Sequence, residues 1–140
     1  MNDNPLLDDS GLPRFASIRA GHVTPAVDRI LADARATVDR VATDPRAPSW
    51  ASVAEPLADA LERLHRAWGA VRHLNAVVNT PELRDVYNGN LGKITSFYTD
   101  LGQDERLHAK YRALAASSEF ASLDAARRRV IENELRDFRL

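Results

Sequence analysis

The chain has 140 residues, with 19 Lys and Arg against 20 Asp and Glu, and no cysteine. That length supports one hydrophobic core but not two, and charges that nearly cancel and intermingle exclude the basic stripe that nucleic acid or an anionic membrane requires. The lack of cysteine excludes disulfides, thiol catalysis and thiolate metal sites.

The longest arginine run, Arg127-Arg-Arg129, is followed by Glu132, Glu134 and Asp137, the pattern of a solvated helix face. The opening residues place no basic region ahead of an apolar stretch, and no segment reaches the roughly 20 apolar residues that span a bilayer. The expectation is a cytoplasmic protein with neither nucleic acid nor membrane as a partner.

Residues 1–21 contain Pro5, Gly11, Pro13 and Gly21 among scattered apolar residues, which predicts an extended arm anchored by Leu6, Leu7, Phe15 and Ile18. Residues 22–140 read as one helical domain. Thr24-Pro25 supplies a cap followed by proline at a first helical position. From there Val27, Ile30, Leu31, Ala34, Val38 and Val41 keep helical spacing until Asp44-Pro45.

Ser49 or Ser52 can cap a second, long amphipathic helix carrying Val53, Leu57, Leu61, Leu64, Trp68, Val71 and Val78, with Pro56 shaping or kinking its first turn. Asn79-Thr80-Pro81 marks a break. A third helix places Leu83, Tyr87, Leu91, Ile94, Tyr98 and Leu101 on one face, and Gly89 and Gly92 predict irregularity in its middle. A fourth, from about Asp104 to Ala116, carries Leu107, Tyr111 and Leu114. A fifth opens near Ser122 and carries Leu123, Val130, Ile131, Leu135 and Phe138.

No stretch alternates with the period of a strand, so the fold class is all-α: about five helices in an antiparallel bundle with an extended N-terminal arm. The last helix runs to Leu140 with no glycine, proline or polar tail after it, and the reading expects more chain to follow.

A helical zinc peptidase site needs two histidines four apart, with glutamate directly after the first. His22, His65, His73 and His108 contain no such pair. There is no Gly-x-Ser-x-Gly turn and no phosphate-cradling glycine loop. No catalytic residue and no metal ligand is assigned, and the chain itself is expected to hold no cofactor.

Glu62-Arg-Leu-His65 and Glu105-Arg-Leu-His108 repeat the Glu-x-x-His pattern of di-iron bundles. Helical geometry turns both pairs away from the apolar faces of their helices, so local pairing on a wet surface accounts for them better. His73, Asn75 and Asn79 form the most distinctive local signal, because the two amides project close to an apolar helix face. Buried amides must find partners. Either Asn79 caps the second helix while Asn75 ties the turn, or these residues face a groove or a second domain.

Several blocks, in order, are similar to a known family: Asn4-Pro-Leu-Leu7, Leu12-Pro-Arg-Phe-Ala-Ser-Ile18, Pro25-Ala-Val27, Glu55-Pro-Leu-Ala58, His73-Leu-Asn75, Pro81-Glu-Leu-Arg84 and Asn133-Glu-Leu-Arg-Asp-Phe138. The chain resembles the beginning of oligopeptidase A-like members of the thimet oligopeptidase family of zinc metallopeptidases. The resemblance implies a helical part of an N-terminal lobe, forming some of the channel wall in an enzyme that hydrolyses short peptides. It also implies zinc in the full-length enzyme, held by His-Glu-x-x-His and a later glutamate in a C-terminal catalytic domain absent here. That domain would be the main partner, short peptides the substrates, and His73, Asn75 and Asn79 channel-facing or interdomain residues. Alternatives from the residues themselves are a free-standing helical module that binds peptides or proteins and, less favoured, a di-iron bundle. An exposed C-terminal helix would also permit a homodimer.

Overall fold

Asn4 holds the start of the described chain. In the computed structural model, which describes residues 4–138, its Oδ1 accepts the Leu6 N–H at 3.0 Å and its Nδ2 donates to the His22 carbonyl at 2.7 Å. Two single 3₁₀ turns, Pro5–Leu7 and Phe15–Ser17, punctuate the segment that follows. Leu6 and Ile18 are buried and Leu7 is half-buried, whereas Phe15 stays exposed.

The first long helix, α1, spans Ala20–Thr43. It begins earlier than the Thr24-Pro25 cap predicts, because His22 provides the cap from inside the helix: its Nδ1 accepts the Arg19 N–H at 2.9 Å. Pro25 therefore lies within the helix, where it forgoes the bond to the Gly21 carbonyl. That loss is confined to the second turn. Val23, Ile30, Ala34 and Val41 form the buried stripe.

Ser49 and Ser52 both cap the next helix, each side-chain oxygen accepting the other's N–H at 3.0 Å. The turn between them and the helix proper, Trp50–Ala54, is wide: the Glu55 N–H reaches back five residues to the Trp50 carbonyl. Helix α2, Glu55–Val77, continues from it with Pro56 in its first turn, where a missing N–H costs little. Leu57, Leu64, Trp68 and Val71 are buried. Trp50 is tied to the far side of the molecule, its N–H donating to Glu119 Oε2 at 3.2 Å and its ring lying 5.2 Å beneath the Arg127 guanidinium.

Asn79, at φ 54°, ends α2, and Thr80 opens α3, Pro81–Gly102, by accepting the Leu83 N–H at 3.2 Å. The helix is continuous through Gly89 and Gly92. Its buried face keeps Leu83, Tyr87, Ile94 and Leu101 as predicted but departs from the expectation at two positions. Asn90 and Phe97 are each 2% exposed, whereas Leu91 is 40% and Tyr98 42% exposed. The working stripe is Leu83, Tyr87, Asn90, Ile94, Phe97 and Leu101, a regular alternation of three- and four-residue steps. Tyr87 stacks on Trp68 of α2 at 5.0 Å, nearly parallel.

Asp104 caps α4, Glu105–Ala115, through the N–H groups of Arg106 and Leu107. The predicted fifth helix, placed to open near Ser122, starts three residues later, and a short helix the sequence reading did not include precedes it. A short α5, Ser118–Ser122, stops at buried Leu123, and Asp124 then caps α6, Ala125–Asp137, by accepting the Arg127 N–H at 2.8 Å. A chain that must turn between two helices uses the aspartate as a new start. Residues 139 and 140, to which the sequence extended the last helix, lie outside the described residues.

The described residues contain six α-helices and no strand. Helix α1 is central, packed against α2, α3 and α4, while α6 rests on α4. None of these helices is long and apolar enough to cross a membrane.

Candidate interdomain surface

His73 lies on the exposed side of the last turns of α2. The Phe15 ring, carried by the N-terminal arm, sits 5.1 Å from its imidazole at 58°. One helical turn beyond His73 is Val77, 64% exposed, followed by Val78 at 54%. Leu12, three residues before Phe15 on the arm, is 91% exposed. These residues place apolar surface in water at the end of the bundle formed by the arm and the α2–α3 turn.

Three of the neighbouring cations are engaged by their own segment. Arg14 pairs with Asp8 at 3.1 Å, and Arg19 donates to the Ala16 carbonyl at 2.8 Å. Arg84 donates to the Asn79 carbonyl at 3.2 Å and to its Oδ1 at 2.8 Å. Asn79 thus takes the helix-ending role, its left-handed backbone being one that asparagine tolerates. Asn75 does not tie the turn. Its side chain is half-buried and its Oδ1, shielded from solvent, has no hydrogen-bond partner.

A second cluster lies where α4 and α6 meet α2. A cavity of about 140 Å³ is lined by Leu57, Leu61 and Leu101 together with His108, Tyr111 and Glu134. His108 is half-buried, not solvent-facing as predicted, and stacks on Phe138 with ring centres 4.1 Å apart. Glu134 is exposed along part of its side chain, yet the apolar neighbours around its carboxyl, reinforced by Asp137, raise it above its ordinary pKa. Burial and the Glu134 charge push the Tyr111 phenol well up. These are the costs of an apolar setting.

Glu62 and His65 are exposed on α2, and Glu105 is exposed on α4. Among the described residues, no group of three or more His, Asp or Glu stands close enough to hold a metal ion. Sequence reasoning missed the approach of Glu134 to Tyr111 at one cavity, which depends on how α6 lies across α4. It also missed buried Asn90, for which the three- and four-residue spacing around it was the available signal.

Comparison with known proteins places this geometry. Residues 27–140 match the N-terminal domain of neurolysin/thimet oligopeptidase. The chain belongs to the neurolysin/thimet oligopeptidase family. It is 42% identical to oligopeptidase A of Haemophilus influenzae over 137 residues, which is 98% of this chain and 20% of that protein. The corresponding protein of Salmonella typhimurium is 41% identical over the same shares. An organellar oligopeptidase A of Arabidopsis thaliana is 32% identical, across 98% of this chain and 17% of the relative. The chain therefore spans about a fifth of the length of the curated relatives it matches. Within the family it corresponds to the N-terminal domain of an oligopeptidase A-like peptidase, and it contains no His-Glu-x-x-His sequence.

Proposed function

We propose that this chain serves as a non-catalytic wall element of a zinc oligopeptidase that hydrolyses short peptides in the cytoplasm. The single observation behind this reading is the mismatch of shares: nearly all of this chain is matched by about a fifth of each bacterial oligopeptidase A. Zinc and the groups that act with it would belong to the remaining four-fifths. The catalytic portion is then the main partner, and His73, Asn75 and Asn79 face that portion or the channel between the two.

The test is a chimera in which this chain replaces the matched segment of the Haemophilus influenzae relative. The expected result is zinc-dependent cleavage of a short fluorogenic peptide by the chimera, and none by the 140-residue chain with zinc added. Cleavage by the isolated chain, or a folded chimera without activity, would overturn the reading.

A second reading, a free-standing helical interaction module, draws on α6. Ile131 is fully buried and Leu135 and Phe138 are half-buried, so only Val130 among its large apolar residues is exposed. A helix so far closed needs little from further chain, and it offers little to a second copy in a homodimer. Calorimetric binding of short peptides by the isolated chain would favour the module.

A further inference from the structure

We infer that the arm and the end of α2 form one docking surface, built from Leu12, Phe15, His73, Val77 and Val78, and that its occupant is the body of the oligopeptidase. This rests on the proposed function, and it selects contact with the enzyme body over exposure to the substrate channel.

Three observations carry it. Four of the large apolar side chains left in water, Leu12, Phe15, Val77 and Val78, fall on two segments that the Phe15–His73 ring contact brings together. Single exposed apolar residues are ordinary on a protein surface, but a joined set marks an interaction site. Next, three cations near the set are turned to partners within the chain: Arg14 to Asp8, Arg19 to backbone carbonyls and Arg84 to Asn79, while Arg72 beside His73 and Arg66 two turns earlier on α2 belong to the rim. A charge-depleted centre with a polar rim is the composition of a protein interface. Last, Asn75 Oδ1, beneath the same end of α2, is shielded from solvent yet has no hydrogen-bond partner within the chain, so the packing under this patch is left incomplete by the chain alone.

The occupant follows from size and position. The bacterial relatives are about five times longer than the segment they share with this chain, so the corresponding body must cover part of the surface of this domain. Phe138 lines the same cavity as Leu57, which lies at the opposite end of α2, and the twenty residues from Leu57 to Val77 rise about 30 Å. Phe138 is therefore far from the patch, and the occupant is a part of the body that packs at the other end of α2.

Because the chain has no cysteine, single thiols report on coverage. Leu12→Cys and Val77→Cys place a thiol on exposed side chains, and Glu62→Cys, on the exposed side of α2, serves as the reference. Each is made in the 140-residue chain and in the chimera with the Haemophilus influenzae relative, and maleimide labelling rates are compared. The expected result is free labelling of all three in the chain alone. In the peptide-cleaving chimera, labelling falls at least tenfold at positions 12 and 77 and is unchanged at 62.

Equal rates at positions 12 and 77 in an active chimera would overturn the inference while leaving the proposed function standing. An inactive chimera is the separate failure of that function. Protection that arises only on adding an excess of a short non-cleaved peptide would assign the patch to the channel. Protection already present in the isolated chain, and lost on dilution, would assign it to a second copy. Both of those results also sink the inference.

Discussion

Asn90 is a polar side chain in an apolar stripe, and its bonds are unevenly distributed. Its Nδ2 donates to Thr24 Oγ1 at 2.9 Å and to the Val86 carbonyl at 2.7 Å, whereas Oδ1 is buried without a partner. An orphaned acceptor costs about 1–3 kcal/mol, which offsets most of what two ordinary hydrogen bonds contribute. Asn90→Leu is expected to shift stability by less than about 1 kcal/mol, while Asn90→Ala leaves a cavity and costs about 2 kcal/mol. Urea midpoints of the two variants give the comparison. A loss as large for leucine as for alanine would mean the amide bonds dominate. Reading the sequence by apolar periodicity stepped past this residue to Leu91, and from Phe97 to Tyr98, because an asparagine in a core position looks like a surface residue.

Helix α6 carries an ionisation that the fold shifts, at a glutamate whose side chain still reaches solvent. The folded state raises the Glu134 pKa, chiefly by burial and then by the charge of Asp137. The folded chain therefore binds this proton more tightly than the unfolded chain does. At neutral pH the ionised carboxylate destabilises the fold, and that penalty fades as pH falls through the raised value toward the ordinary 4.5. Because Glu134 keeps contact with solvent, the penalty is small: Glu134→Gln should raise Tm slightly at pH 7 and leave it nearly unchanged near pH 4, as scanning calorimetry at the two values would reveal. The elements were largely legible in the sequence, since caps at Asp104 and Thr80 and the break at Asn79 carry local signals. Less legible were the start of α1, which depends on His22 capping from within, and the division of α5 from α6 at Asp124. In both cases the deciding bond involves a side chain whose role follows from where the backbone has already turned.

Across the whole molecule, exposed ion pairs bridge α1 to its neighbours: Lys93 to Asp28 at 2.8 Å, Arg35 to Asp100 at 2.9 Å and Arg106 to Asp39 at 3.0 Å. All six side chains are at least 43% exposed, and such pairs contribute about 0.2–1 kcal/mol each and are screened by salt. Apolar packing of α1 against α2 and α3 should thus decide stability. Raising salt from about 0.05 to 0.5 M sodium chloride is expected to lower Tm by only a few degrees. A drop beyond ten degrees would make the charge network primary. The all-helical class was visible in the sequence. The joining of the arm to the end of α2 was not, because Phe15 and His73 meet only once the arm has folded across the helix.

The wide turn at Trp50–Ala54 holds one more residue than an α-turn would between its bonded groups. It is a place where the chain length is out of step with the helix that follows. Deleting one residue there would let the turn close as α-helix and rotate everything before it by about 100° relative to α2. Trp50 would swing away from Glu119 and Arg127, and the link between α1 and α2 would lose its hold on α5 and α6. Length variation at this turn, more than substitution, is where the packing order of the molecule is exposed to change.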